Sequence, residues 1–214
     1  MAPLIDRQRR ETARRALGER REALLSAARE MFAARPVGDI TLQAVGRQAG
    51  VPDGTAELLF TSREQLFLEV LAGSLNACCD ELLAELEDRP SLEPRELGGL
   101  LARVLARHPL LTRQLAQLAA AVESMTDTTL LWHFGNRVRQ RLARVRQEIQ
   151  ARCPALGAAR LRVLPLWLFV LASGLEPLAH AEGGLAAALV DPELRDFAVD
   201  FETEMAAMLT ALLR

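Results

Sequence analysis

The three histidines stand at positions 108, 133 and 180, and the three cysteines at 78, 79 and 153. A metal or catalytic centre needs such groups brought together at a fixed spacing. The chain has no two-histidine helical repeat, no nucleophile elbow and no glycine-rich phosphate loop. The pairs Gly98-Gly99 and Gly183-Gly184 read as loop or helix-end features. Cys78 and Cys79 read as reduced thiols of a cytoplasmic protein, because neighbouring residues on a helix point in different directions. These patterns point away from an enzyme. No catalytic residue, metal site or cofactor is assigned.

The residues that do suggest chemistry lie at 41–63. Thr41 is an N-cap for a short helix through Gln48, Ala49-Gly50-Val51 makes a tight turn, and a second short helix runs from Pro52 or Asp53 to Leu59. Two such helices can place the second in a DNA major groove while the first crosses the backbone. Candidate DNA contacts are Thr41, Gln43, Arg47, Pro52, Asp53, Gly54, Thr55, Glu57, Leu58 and Arg63. Asp53 and Glu57, four residues apart, share a face. Against phosphates, each like-charge contact at ~4 Å costs about 1 kcal/mol in water and more once desolvated. In the groove either carboxylate could instead accept a hydrogen bond from a cytosine amino group.

The elements around this pair follow from apolar periodicity. A helix over 20–34 carries Leu24, Ala27, Ala28, Met31 and Phe32 on one face. Ser62, with Gln65 three residues on, is a capping box for a long helix that ends before Pro90. Further helices are expected at 93–107, 109–124, 128–152, 155–180 and 192–213. The last has Asp191 as cap, Pro192 in its first turn and a stripe of Leu194, Phe197, Phe201, Met205, Met208 and Leu212. No alternating strand pattern is present. The fold class is all-α, with about nine helices.

Ala, Leu, Arg and Glu dominate, Tyr is absent, and all 26 basic residues are Arg. The net charge of −2 rules out a generally basic chain. Residues 1–35 nevertheless carry nine Arg against five acids, a local +4. This predicts a flexible arm at 1–19. The paired short helices then fall in a helix-turn-helix domain at 20–66, followed by a larger helical domain at 67–214. Arg7, Arg9, Arg10, Arg14, Arg15, Arg20 and Arg21 either reach phosphates or a minor groove, or are solvated. No signal peptide follows the N-terminal charges. The greasiest run, Val163 to Leu175, is short for a membrane span and is read as a buried helix, so no membrane partner is expected.

Leu24 to Phe32, Ile40 to Val51, Gly54-Thr55, Phe60 and Ser62-Arg63-Glu64-Gln65-Leu66 match the TetR family in order and spacing without a gap. The chain thus resembles TetR-type regulators. That resemblance assigns effector binding and dimerisation to the domain at 67–214. It implies a homodimer formed by the last two helices, a pocket inside the C-terminal domain and repression of nearby genes. It also marks departures: Asp53 where a polar or basic residue is usual, and Glu57 where a phosphate-contacting tyrosine is usual. The expected function is a ligand-responsive repressor of a double-stranded DNA operator, released by a small apolar effector. The alternative is a TetR-like ligand-binding or protein-partner module without operator binding.

Candidate pocket residues are Leu118, Val122, Met125, Trp132, His133 and Trp167, each singly more readily explained as core packing. Leu115, Phe134 and Phe169 lie among them in sequence. Candidate dimer residues are Leu168, Leu171, Leu175, Phe197, Phe201, Met205 and Met208. The row Arg137, Arg141 and Arg144, with Arg139 and Arg146 beside it, is either a solvated face or a site for an anionic effector such as an acyl-coenzyme A.

Overall fold

The computed structural model describes residues 2–123 and 125–214. Among them are ten α-helices and three 3-10 turns, with no strand. They divide into two compact units, Met1–Val70 and Leu71–Arg214.

The first unit holds α1 (Ala2–Ala34), α2 (Leu42–Gln48), α3 (Thr55–Leu59) and the start of α4 (Arg63–Glu87). Residues 2–19, expected as a flexible arm, form the first half of α1. Arg, Ala, Leu and Glu are strong helix formers, and Arg15 pairs with Glu19 one turn on at 3.2 Å. Local propensity prevails there without an apolar stripe. Leu24, Ala28 and Phe32 on α1 are fully or almost fully buried, as are Ile40, Val45, Phe60, Leu66 and Phe67. Phe32 and Phe67 meet edge to face, with centroids 5.4 Å apart. Each large apolar side chain sealed in this way stabilises the unit by about 1.5–3 kcal/mol.

Thr41 caps α2 as its sequence position requires, its hydroxyl accepting the Ala44 N–H at 3.1 Å. α3 starts at Thr55, later than expected, because Gly54 turns the chain in the left-handed region at φ 77°. The α4 capping box is shifted by one residue. Ser62 Oγ accepts the Gln65 N–H at 3.1 Å, while Gln65 Oε1 reaches back to the Thr61 N–H at 2.6 Å.

The second unit continues α4 and adds α5 (Pro94–Ala106), α6 (Pro109–Glu123), α7 (Thr128–Arg152), α8 (Gly157–Ala179), α9 (Gly183–Ala188) and α10 (Phe201–Leu213). Asp127 caps α7, accepting the Thr129 and Leu130 N–H groups at 3.0 Å each. The stretch Pro154–Ala179 is long and apolar enough, by composition, to cross a membrane, with a mean hydropathy of 1.6.

Two sequence expectations are corrected here. The single helix over 192–213 is a 3-10 turn, Pro192–Phe197, followed by a break and α10. Asp191 Oδ1 accepts the Glu193 N–H at 2.9 Å, and Asp200 starts a new helix by accepting the Thr203 N–H at 2.8 Å. Gly98 is not a loop glycine. It lies inside α5 where α10 crosses, and a Cβ there would sit 3.1 Å from the Thr210 backbone nitrogen. The inner face of α10 is Phe201, Met205, Leu209 and Leu213, all buried.

Candidate functional site

The α2–turn–α3 segment packs through its small residues. Gly46 leaves room for α3, since a Cβ there would touch Ala56 at 3.5 Å, and Gly50 makes the turn at φ 65°. Val45, Gly46, Thr55 and Ala56 are buried. Thr41, Gln43, Arg47, Pro52, Asp53, Gly54, Glu57 and Leu58 face solvent, Leu58 with 78 % of its surface exposed. Thr55, expected at the DNA surface, is only 7 % exposed. The outward surface of residues 41–60 therefore carries Asp53, Glu57 and the apolar Leu58, with Arg47 as its one cation.

Two arginines considered for phosphate contact are engaged inside the unit. Arg63 donates to the carbonyls of Gly38 at 2.8 Å and Ile40 at 3.5 Å, and to Glu64 Oε1 at 2.8 and 3.0 Å. Burial tends to raise the Glu64 pKa. The hydrogen bonds it accepts from backbone, Arg63 and Ser62 outweigh burial and hold it below the usual range. Arg21 pairs with Glu69 and lies over the Phe60 ring, 5.2 Å from its centroid. Arg14 and Arg20 are exposed on α1. The side chains of Arg7, Arg9 and Arg10 lie outside those described.

The second unit holds a partly open cavity of about 380 Å³ between α4, α5, α6, α7 and α8. Its walls are leucine-rich: Leu75 and Leu82 from α4, Leu101 from α5, Leu115 and Leu118 from α6, Val138 and Leu142 from α7, and Leu164 and Phe169 from α8. The polar lining is Cys78, Cys79 and Arg146. Burial pushes the Cys78 thiol up to about 12, and burial also raises Cys79 despite the neighbouring Arg141, so both are neutral at physiological pH. Such a space suits an organic ligand of modest size with an apolar body.

The description "Bacterial regulatory proteins, tetR family" matches residues 24–70, and "Tetracyclin repressor-like, C-terminal domain" matches residues 72–214. The chain belongs to the TetR family. A search of the curated proteins finds no match. Among solved structures, one similar chain is the fatty acid degradation regulator FadR from Bacillus halodurans. The TM-score is 0.54 at 15% identity, covering 91% of this chain and 94% of that one. At that identity the likeness is one of fold. Membership makes the protein a helix-turn-helix transcription regulator rather than an enzyme.

In this TetR-family chain the pocket candidates separate. Leu118 lines the cavity, as do Leu115, Phe134 and Phe169, whereas Val122, Met125, Trp132, His133 and Trp167 are not among its walls. Trp132 is 65 % exposed and packs edge-on to His133 at 5.0 Å near the start of α7. Of the arginine row, Arg146 meets the cavity, while Arg141 pairs with Asp80 and donates to the Asn76 carbonyl at 3.2 Å. Of the dimer candidates, Phe201, Met205 and Leu175 are buried, Leu168 lines the cavity and Leu171 is partly exposed. Phe197 and Met208 are exposed. The exposed apolar row of α8 is Leu166, Val170 and Leu178, and that of α10 is Met208 and Leu212. Sequence reasoning missed most cavity walls because they are leucines indistinguishable in type from core.

Proposed function

We propose that the protein is a homodimeric, cytoplasmic repressor that binds an operator in double-stranded DNA and releases it when a small, largely apolar effector fills the cavity. The observation that carries this reading is a cavity walled almost entirely by apolar side chains in a family of ligand-responsive regulators. The exposed rows on α8 and α10 suit a second copy of the chain, because a twofold contact lets each row meet its equivalent. They are a poor bilayer surface: Arg160 and Arg162 lie in the first turns of α8, and Ser173 donates to the Leu115 carbonyl at 3.1 Å. In the dimer the effector alters the spacing of the two α3 helices, which must match a turn of DNA or a multiple of it. The fatty acid degradation regulator of similar fold accords with an effector having a long apolar part.

The α3 surface favours a second reading, a ligand-binding or protein-partner module that no longer holds DNA. Asp53 and Glu57 face outward with no cation on α3, and Arg63 is held by protein groups. Binding of the whole protein to a labelled duplex from its own upstream region, at two salt concentrations, separates the readings. A sequence-specific complex that weakens with salt supports the repressor. Absence of any complex favours the module. In that event Asp53→Lys combined with Glu57→Tyr should restore nonspecific affinity if the acidic face is the cause.

A further inference from the structure

Among the described residues, Arg146 is the one charged wall of the cavity, and no carboxylate lines the space with it. Its Nε is buried without a hydrogen-bond partner among the described residues. Four acids on α4 and α7 are already engaged. Asp80 pairs with Arg141, Glu81 with Arg107 and His108, Glu85 with Arg89 and Arg107, and Glu148 with Arg152. A guanidinium at the wall of an apolar space, with its buried Nε–H unmatched, gains from an anion that completes it.

We propose that the ligand of this cavity is an alkyl chain ending in a single carboxylate, the chain lying among the leucines and the carboxylate on the Arg146 fork. The planar guanidinium offers paired N–H donors that match the two carboxylate oxygens. A space of about 380 Å³ holds roughly a dozen water-sized groups at about 30 Å³ each. Decanoate has that size. Cys78 and Cys79 add neutral thiols to the wall and do not compete for the charge. The inference rests on the cavity being the effector site and specifies what that effector carries.

The test uses the full-length protein, with decanoate and 1-decanol titrated calorimetrically at pH 8. Wild type should bind decanoate at least tenfold tighter, a difference of about 1.4 kcal/mol. Arg146→Met should bring the two affinities together by weakening decanoate and sparing decanol. Leu142→Trp, which projects a larger side chain into the space, should weaken both. Equal affinities in wild type, decanoate preference surviving in Arg146→Met, or undiminished decanoate binding in Leu142→Trp would each overturn the proposal. If Arg146→Met does not fold, the wild-type preference for decanoate over decyltrimethylammonium decides the sign of the site. The same titrations repeated with operator DNA separate the two readings. Decanoate binding through Arg146 without any effect on DNA affinity sinks the regulatory role and leaves this ligand assignment standing. DNA release by decanol as readily as by decanoate keeps the regulatory role and sinks the assignment.

Discussion

Gly98 and Gly99 are neighbours with opposite expectations. A Cβ at Gly98 would meet Thr210 backbone nitrogen at 3.1 Å and Leu209 backbone carbon at 3.4 Å, whereas one at Gly99 meets nothing within 4 Å. Both lie inside α5, where alanine is preferred to glycine by about 1 kcal/mol. Gly99→Ala should therefore raise the denaturation midpoint. Gly98→Ala should lower it, because separating two packed backbones costs about 1–3 kcal/mol and exceeds the helical gain. Urea unfolding of both variants checks the pair, and a stabilising Gly98→Ala would mean α10 can slide without loss. Cys78 supplies a pH test at the same scale. Its thiol ionises at 9.0 when unfolded, and burial pushes it up to about 12 in the fold. The unfolded state thus holds fewer protons between those values, and stability should fall as pH rises through that window. Cys78→Ser should flatten the slope.

At the scale of the element, cap chemistry decided which boundaries could be read from sequence. α2 was legible because Thr41 marks its start and Gly50 its end. The break before α10 was not legible. The apolar spacing from Leu194 through Phe197 to Phe201 stays helical across it, and only the Asp200 side chain, bonded to Thr203, reveals a new start. The cavity was hidden for a different reason: it is a gap in packing, and its leucines match the core in type and period. Arg63 stood at the expected helix start, but its carbonyl partners Gly38 and Ile40 lie more than twenty residues back and leave no local signal. The Asp200 cap carries a prediction. Hydrogen bonds from the Thr203 hydroxyl and N–H hold its carboxyl below the usual range. A depressed carboxyl favours the fold above its unfolded pKa and loses that contribution as pH falls through the folded one. Asp200→Ala should lower the melting temperature at neutral pH, with the difference from wild type shrinking in acid. Asp200→Asn should keep a cap at every pH, and an unchanged acid response in that variant would assign the effect elsewhere.

For the whole molecule the test lies in the apolar rows left uncovered on the second unit. Val170 is 56 % exposed on α8 and Leu212 is 38 % exposed on α10, and neither lines the cavity. Exposed apolar side chains contribute little within one copy, so charging them should change single-chain stability by no more than about 0.5 kcal/mol. In a twofold contact the same charges meet their equivalents or apolar partners and are costly on both sides. Val170→Asp with Leu212→Glu should therefore halve the mass seen by light scattering while leaving decanoate affinity within about twofold, since the cavity walls lie within one unit. Operator affinity should fall much further, because a single helix-turn-helix then holds only one half-site and loses the effective concentration that tethering provides. A variant that keeps the doubled mass would show that copies meet through other surfaces. One that becomes monomeric yet grips the duplex undiminished would show that pairing is not how this protein holds DNA.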